Sequence, residues 1–345
     1  PKRVLVTNLF QEEQEVGGGG FAYTQEIQIF NNISCIKKTD GSYYSAIVRQ
    51  GMGKPYLKEF IADNVKGNIV WHTGNPDQLD SRYSIGNLVI DNFTDGLIQL
   101  MCAVDKVAIK NTIINNGLIF FYKYLFNDIY FENSKFYEVV GIFDGCTVNK
   151  FKAVDCLFGN TVHGIVYSDA LIKDIHLINP TIYVPTQGKF MNASFNNLLI
   201  QGGVLKTIDK PYFYKLIVNN GINTNNVSKV IIDSFICYVW GGDGGYLLVA
   251  GNGISIDAEV VNSKFLSIPN FILGSSGSLV YRNNLPEVKA TLAYDPPSLA
   301  TSTQQLTTVT LTGAKVGDIV AVSFNQPLQG TRMWGEVTSD NIITV

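Results

Sequence analysis

Apolar and polar residues alternate in short bursts through the middle of the chain, and the bursts end on the same kind of residue. Six copies are Phe60-Ile61-Ala62-Asp63-Asn64, Leu88-Val89-Ile90-Asp91-Asn92, Val107-Ala108-Ile109-Lys110-Asn111, Ile129-Tyr130-Phe131-Glu132-Asn133, Phe151-Lys152-Ala153-Val154-Asp155 and Ile175-His176-Leu177-Ile178-Asn179. Degraded copies follow around Gly202, Ser234 and Asn262. The column Asn64, Asn92, Asn111, Asn133, Asp155, Asn179 steps by 28, 19, 22, 22 and 24 residues. Alternation over four to eight residues predicts half-buried strands, and the β-branched and aromatic residues in them suit a pleated surface. A short repeat of strands predicts a solenoid, in which each rung buries its apolar face only against its neighbours.

Each repeat carries a further apolar strand after a turn. Examples are Asn68-Ile69-Val70-Trp71, Leu97-Ile98-Gln99-Leu100, Leu118-Ile119-Phe120-Phe121, Ile142-Phe143, Gly164-Ile165-Val166-Tyr167 and Lys189-Phe190-Met191. Two or three strands per rung of this length describe a parallel β-helix. A leucine-dense consensus is absent, which excludes leucine-rich repeats. A 3.6-residue period is absent too, which excludes helical repeats. The Asn column predicts sharp corners, because Asn tolerates the left-handed backbone conformation. Stacked at one corner, its amides can hydrogen-bond from rung to rung.

The chain divides by pattern into four parts. Residues 1–55 read as an irregular N-terminal segment with the first rungs, including Gly17-Gly18-Gly19-Gly20 and the strand-like Glu26-Ile27-Gln28-Ile29-Phe30. Residues 56–285 are the solenoid, 286–305 a linker and 306–345 a small antiparallel β-module with Thr-rich alternation. The chain opens on Pro1 and stops inside a strand pattern, so it reads as a fragment of something longer. The Gly run is no phosphate loop, since neither Lys-Ser/Thr nor a helix pattern follows it.

Composition narrows the function. Among 345 residues the formal net charge is −3, which argues against nucleic acid, a ligand that selects basic stripes. No apolar run is long enough for a membrane span, and no signal peptide opens the chain. Cys35, Cys102, Cys146, Cys156 and Cys237 are scattered and odd in number, with no metal-ligand spacing; buried free thiols and folding in a reducing cytoplasm are expected, and no cofactor.

The Asn-cornered β-helix, and the stretch Leu311-Thr312-Gly313-Ala314-Lys315-Val316-Gly317-Asp318-Ile319-Val320-Ala321-Val322-Ser323-Phe324 with Gln329-Gly330 and Val337 to Val345, resemble the tailspikes of bacteriophages that attack capsulated bacteria. The resemblance covers most of the chain. It implies a right-handed parallel β-helix of the pectate-lyase-like kind, a homotrimer, and a virion-tail protein that binds or degrades a bacterial surface polysaccharide. Attachment to the phage tail or baseplate would lie in an N-terminal part not seen here, and the first-rung segment rich in Gly and Asp is also missing.

Stacked rungs lie about 4.8 Å apart. Equivalent carboxylates one rung apart would suit retaining glycoside hydrolysis, and two rungs apart the inverting kind. Polar residues just past the second strand of each rung are His72, Tyr122 with Lys123, Asp144, and Tyr167 with Asp169. Asp144 and Asp169 form the best carboxylate pair, one as acid and the other as base or nucleophile. Asp77, Asp80 and Arg82 sit in an insertion that could overhang a groove, and Trp240 precedes a Gly-rich loop that could carry a sugar platform. Turn residues and core plugs are the plainer readings of these Asp and Trp positions. Trp71 and Phe121 fall at inward positions, His176 at an outward one and His163 at a turn. A lyase would instead draw a base and a cation from His72, Tyr122, Lys123 and Arg82, although only five Arg occur. A spike that binds without cutting, and a purely structural fibre segment, are the non-enzymatic alternatives. No Gly-x-Ser-x-Gly supports an esterase.

Overall fold

The computed structural model describes residues 3–11, 26–35, 45–51, 57–73, 85–94, 96–115, 119–137, 142–159, 165–168, 170–183, 189–206, 215–220, 227–237, 245–265, 270–282, 306–316, 320, 322 and 335–345. Among them there is no helix. Twelve parallel strands form one long sheet, from Arg3–Gln11 and Ile27–Cys35 through Leu125–Glu132, Thr147–Val154 and Leu171–Ile178 to Ser278–Arg282. Parallel pairing of strands about 20 to 30 residues apart is the signature of a coil that returns to the same side once per rung.

Two further sides close the coil. A rung in mid-molecule runs Leu125–Glu132 on the long sheet, turns at Asn133, and continues as Lys135–Tyr137 on a second side. It then passes to Phe143–Asp144 on a third side before Thr147–Val154 opens the next turn. The Lys135–Tyr137 side is a seven-stranded sheet. The Phe143–Asp144 side holds six strands, and four more pair with one another from Met191–Ala193 to Asn270–Ile272. All are parallel. A separate antiparallel sheet of Thr308–Thr310, Glu336–Ser339 and Ile342–Thr344 encloses a small core of Ala314, Val337 and Ile343. The strand expected over 319–324 falls largely outside the described residues.

Stacking begins earlier than the repeat phrase suggests. Arg3–Gln11 pairs with Ile27–Cys35, which pairs with Leu57–Lys66, and Asn8 and Asn32 stand at the same corner as Asn64. The corner column adopts φ between 46° and 65° at Asn8, Asn32, Asn64, Asn92, Asn111, Asn133, Asp155, Asn179, Gly202, Ser234 and Asn262. These are residue types that enter the left-handed region with least penalty. The side chains form the predicted ladder: Asn32 Nδ2 donates to Asn8 Oδ1 (2.9 Å), Asn64 to Asn32 (2.6 Å), Asn133 to Asn111 (2.8 Å) and Asn179 to Asp155 (3.2 Å). Asn92 and Asn111 bond instead to Asp63 and Asp91, one residue before the neighbouring corner. One position further in, Thr112, Ser134 and Cys156 are buried, and each donates back to the carbonyl two residues earlier. The small donor gives each of these carbonyls a second hydrogen bond, beside the backbone N–H of Asn92, Asn111 or Asn133 that it accepts from the preceding rung.

The core is a stack of phenylalanines. Phe121 lies over Phe143 (centroids 5.4 Å apart) and Phe136 over Phe158 (5.6 Å), while Phe131 meets Phe151 edge-on at 5.2 Å. All six are fully buried, which places Phe121 inward as its alternation predicts. Trp71 stands in backbone register with buried Leu100, but its side chain lies outside the described residues.

Candidate functional site

Backbone register builds one edge of the molecule from the polar positions that follow the third-side strands. His72 pairs with Met101, Tyr122 with Asp144, and Asp144 with Ser168. Tyr122 follows Phe121, whose partner is Leu100, so Met101 and Tyr122 are also in line. Inward residues alternate with this column, so Ile69, Leu100, Phe121 and Phe143 are buried behind it. Equivalent side chains then recur about every 4.8 Å along the edge.

Tyr122 is half-buried, Lys123 exposed and Asp144 almost fully enclosed, at 9% exposure. The Lys123 ammonium sits 4.9 Å from the centre of the Tyr122 ring, within cation–π range. The Lys123 backbone N–H donates to the Asp144 carbonyl at 2.9 Å, so the two rungs are tied at this point. Lys123 adopts φ 48° and Gly145, one rung on, φ 57°. The left-handed conformation costs a lysine about 1–2 kcal/mol.

Behind Asp144 lies the buried thiol of Cys146. Burial pushes this thiol up, and the Asp144 charge adds to the effect, so the sulfur remains protonated and is no nucleophile. Among the described residues no group of three or more His, Cys, Asp and Glu could hold a metal ion.

The structure therefore brings Tyr122, Lys123 and Asp144 together on one edge. His72 and Tyr167 belong to strands of that side, Asn68–Thr73 and Val166–Ser168, but their side chains lie outside the described residues. Asp77, Asp80, Arg82, Asp169 and Trp240 lie outside the described residues altogether, as does His163. A register shift between Phe143 and Asp144 makes Ser168, rather than Tyr167, the backbone partner of Asp144, so the register falls one residue short of Asp169 in the sequence. Met101 and Ser168 occupy the same column and were not singled out from the sequence. The alternation of Leu100 with Met101 carried the signal for the first.

The outer face of the long sheet is a second surface. His176 lies there as its alternation predicts, bonded to Gln201 Oε1 at 2.8 Å, and Lys110 pairs with Glu132 at 3.0 Å two to three rungs away on the same sheet. Its central outward column is mostly apolar toward the two ends of the sheet, including Leu5, Ile61 and Val89 at one and Leu199, Ile231 and Val280 at the other.

No family model matches the chain. No curated protein matches it, and no solved structure does.

Proposed function

We propose that this chain is a bacteriophage tailspike that binds and depolymerises a bacterial surface polysaccharide, acting as a homotrimer at the virion tail. The observation that carries the reading is the edge of a β-solenoid on which Tyr122 and Asp144 stack in register, with the Lys123 ammonium over the Tyr122 ring. A row of polar and aromatic groups at a fixed pitch offers a polymer repeated contacts, and Tyr122 supplies an aromatic flank for a sugar. The cut we favour is glycoside hydrolysis. Asp144 is one carboxyl, and Asp169 follows Ser168, the partner of Asp144 on the next rung. One of the pair would protonate the leaving oxygen while the other acts as base or nucleophile.

A second reading is β-elimination by a lyase. It is favoured by the placement of Tyr122 and Lys123, a potential base beside a cation, next to the one carboxylate among the described residues of that column. The test is to incubate the protein with purified capsular polysaccharides and weigh the products. Oligosaccharides at the repeat mass plus one water, lost in Asp144→Asn, support hydrolysis. Products lighter by one water with new ultraviolet absorbance support the lyase. Binding without cleavage would leave a receptor-binding spike, and neither binding nor cleavage across the panel would refute the proposal.

A further inference from the structure

Lys123 is out of place by backbone criteria. Among the described residues, every other non-glycine with positive φ is Asn, Asp or Ser, the types whose short polar side chains tolerate that region. The equivalent position one rung on is Gly145, which meets the same geometry without strain. A lysine at this corner is therefore kept against a local preference, and strained residues of this kind gather at ligand sites. The surroundings accommodate its side chain. Its ammonium lies over the Tyr122 ring at 4.9 Å, and a Cβ on Gly145 would come within 3.3 Å of Lys123 Cγ. Glycine at 145 thus leaves the lysine stem its course along the edge, toward solvent and beside the Asp144 column.

We infer that Lys123 is the specificity determinant for an acidic glycan, its ammonium binding a sugar carboxylate while the Tyr122 ring flanks the same sugar. The inference rests on the polysaccharide reading above and narrows it to polymers that carry carboxylates. A compact ammonium at an exposed corner forms a charge-assisted contact with such a group. The enclosed Asp144 then faces the neutral part of the repeat, because a second anion beside it would be repelled. Binding should weaken as salt is raised.

The experiment compares wild type, Lys123→Asn and Lys123→Arg for binding to acidic capsular polysaccharides and to the same polymers after carboxyl reduction. Thermal melting is measured in parallel. Wild type should bind the acidic form at least about tenfold more tightly than the reduced form, the scale of one contact to a charged group. Lys123→Asn should bind both forms equally weakly yet melt at the same temperature or a few degrees higher, since Asn suits the corner. Lys123→Arg should retain part of the discrimination. Equal binding of both forms by wild type overturns the inference and leaves the polysaccharide reading standing. So does undiminished discrimination in Lys123→Asn. A marked loss of melting temperature in Lys123→Asn would assign the lysine to packing on Tyr122 instead. Failure of wild type to bind any polymer of the panel overturns both readings.

Discussion

Burial decides the chemistry of the described cysteines. Cys102, Cys146, Cys156 and Cys237 are buried, as expected of cysteines that pack as small hydrophobes. Burial pushes Cys156 up to about 11 and Cys146 higher still, from an ordinary value of 9.0. Above pH 9 the unfolded chain ionises these thiols and the folded chain does not. Stability is therefore intact below pH 9 and falls as pH rises toward about 11, by about 1.4 kcal/mol per pH unit for each thiol. Burial also raises Tyr130 and Tyr281, which add to the fall above their ordinary value of 10.0. Denaturant midpoints measured across this window should drop in wild type and drop less in a Cys146→Ala, Cys156→Ala variant. A midpoint equally steep in both would put the dependence elsewhere.

The corner is the element that turns a strand into a coil, and its two contributions are separable. Asn133 supplies a left-handed residue and an amide that donates to Asn111. Asn133→Ala loses both and should cost about 2–3 kcal/mol in urea unfolding. Asn133→Gly keeps the conformation and should cost about 1 kcal/mol or less. Equal costs would mean that the backbone conformation contributes nothing. Gly202 already replaces Asn in the column, and a Cβ there would collide with Asn179 Oδ1. Much of this element was legible in sequence, because alternation and the recurring Asn are local signals. Val4-Leu5-Val6-Thr7-Asn8 obeys the same phrase but was not counted among its copies, although the first rungs were expected within residues 1–55. The register shift that pairs Asp144 with Ser168 left no trace in sequence, because a bulge is set by packing between rungs. The apolar outward column was missed for a different reason. In parallel sheets both faces can be apolar, so alternation underestimates what faces outward.

At the scale of the whole molecule, stability is shared between neighbours along one axis. Among the described residues the interior strands of the long sheet have partners on both sides, whereas Arg3–Gln11 and Ser278–Arg282 have one. At those ends the inward-facing Leu9, Leu279 and Tyr281 are 39%, 40% and 44% exposed. Hydrogen exchange should therefore be slowest in Val104–Lys110 through Leu171–Ile178 and fastest in Arg3–Gln11 and Ser278–Arg282. Uniform protection from end to end would show that the coil opens only as a single unit. The amide ladder gives the same axis a chemical lifetime. The corner amides from Asn32 to Asn133, and Asn179, donate toward the preceding rung, and Asn32 and Asn111 also accept from the following corner, so the two ends of such an amide are not equivalent. Hydrolysis of one corner Asn to Asp keeps the acceptor and loses only the donor, and Asp155, which accepts from Asn179, shows that the coil accommodates this. Two successive lesions would remove the donor between them and set two carboxylates about 5 Å apart. Slow ageing should thus leave the melting temperature nearly unchanged while deamidated corners are isolated. It should fall once mass spectrometry finds them on adjacent rungs.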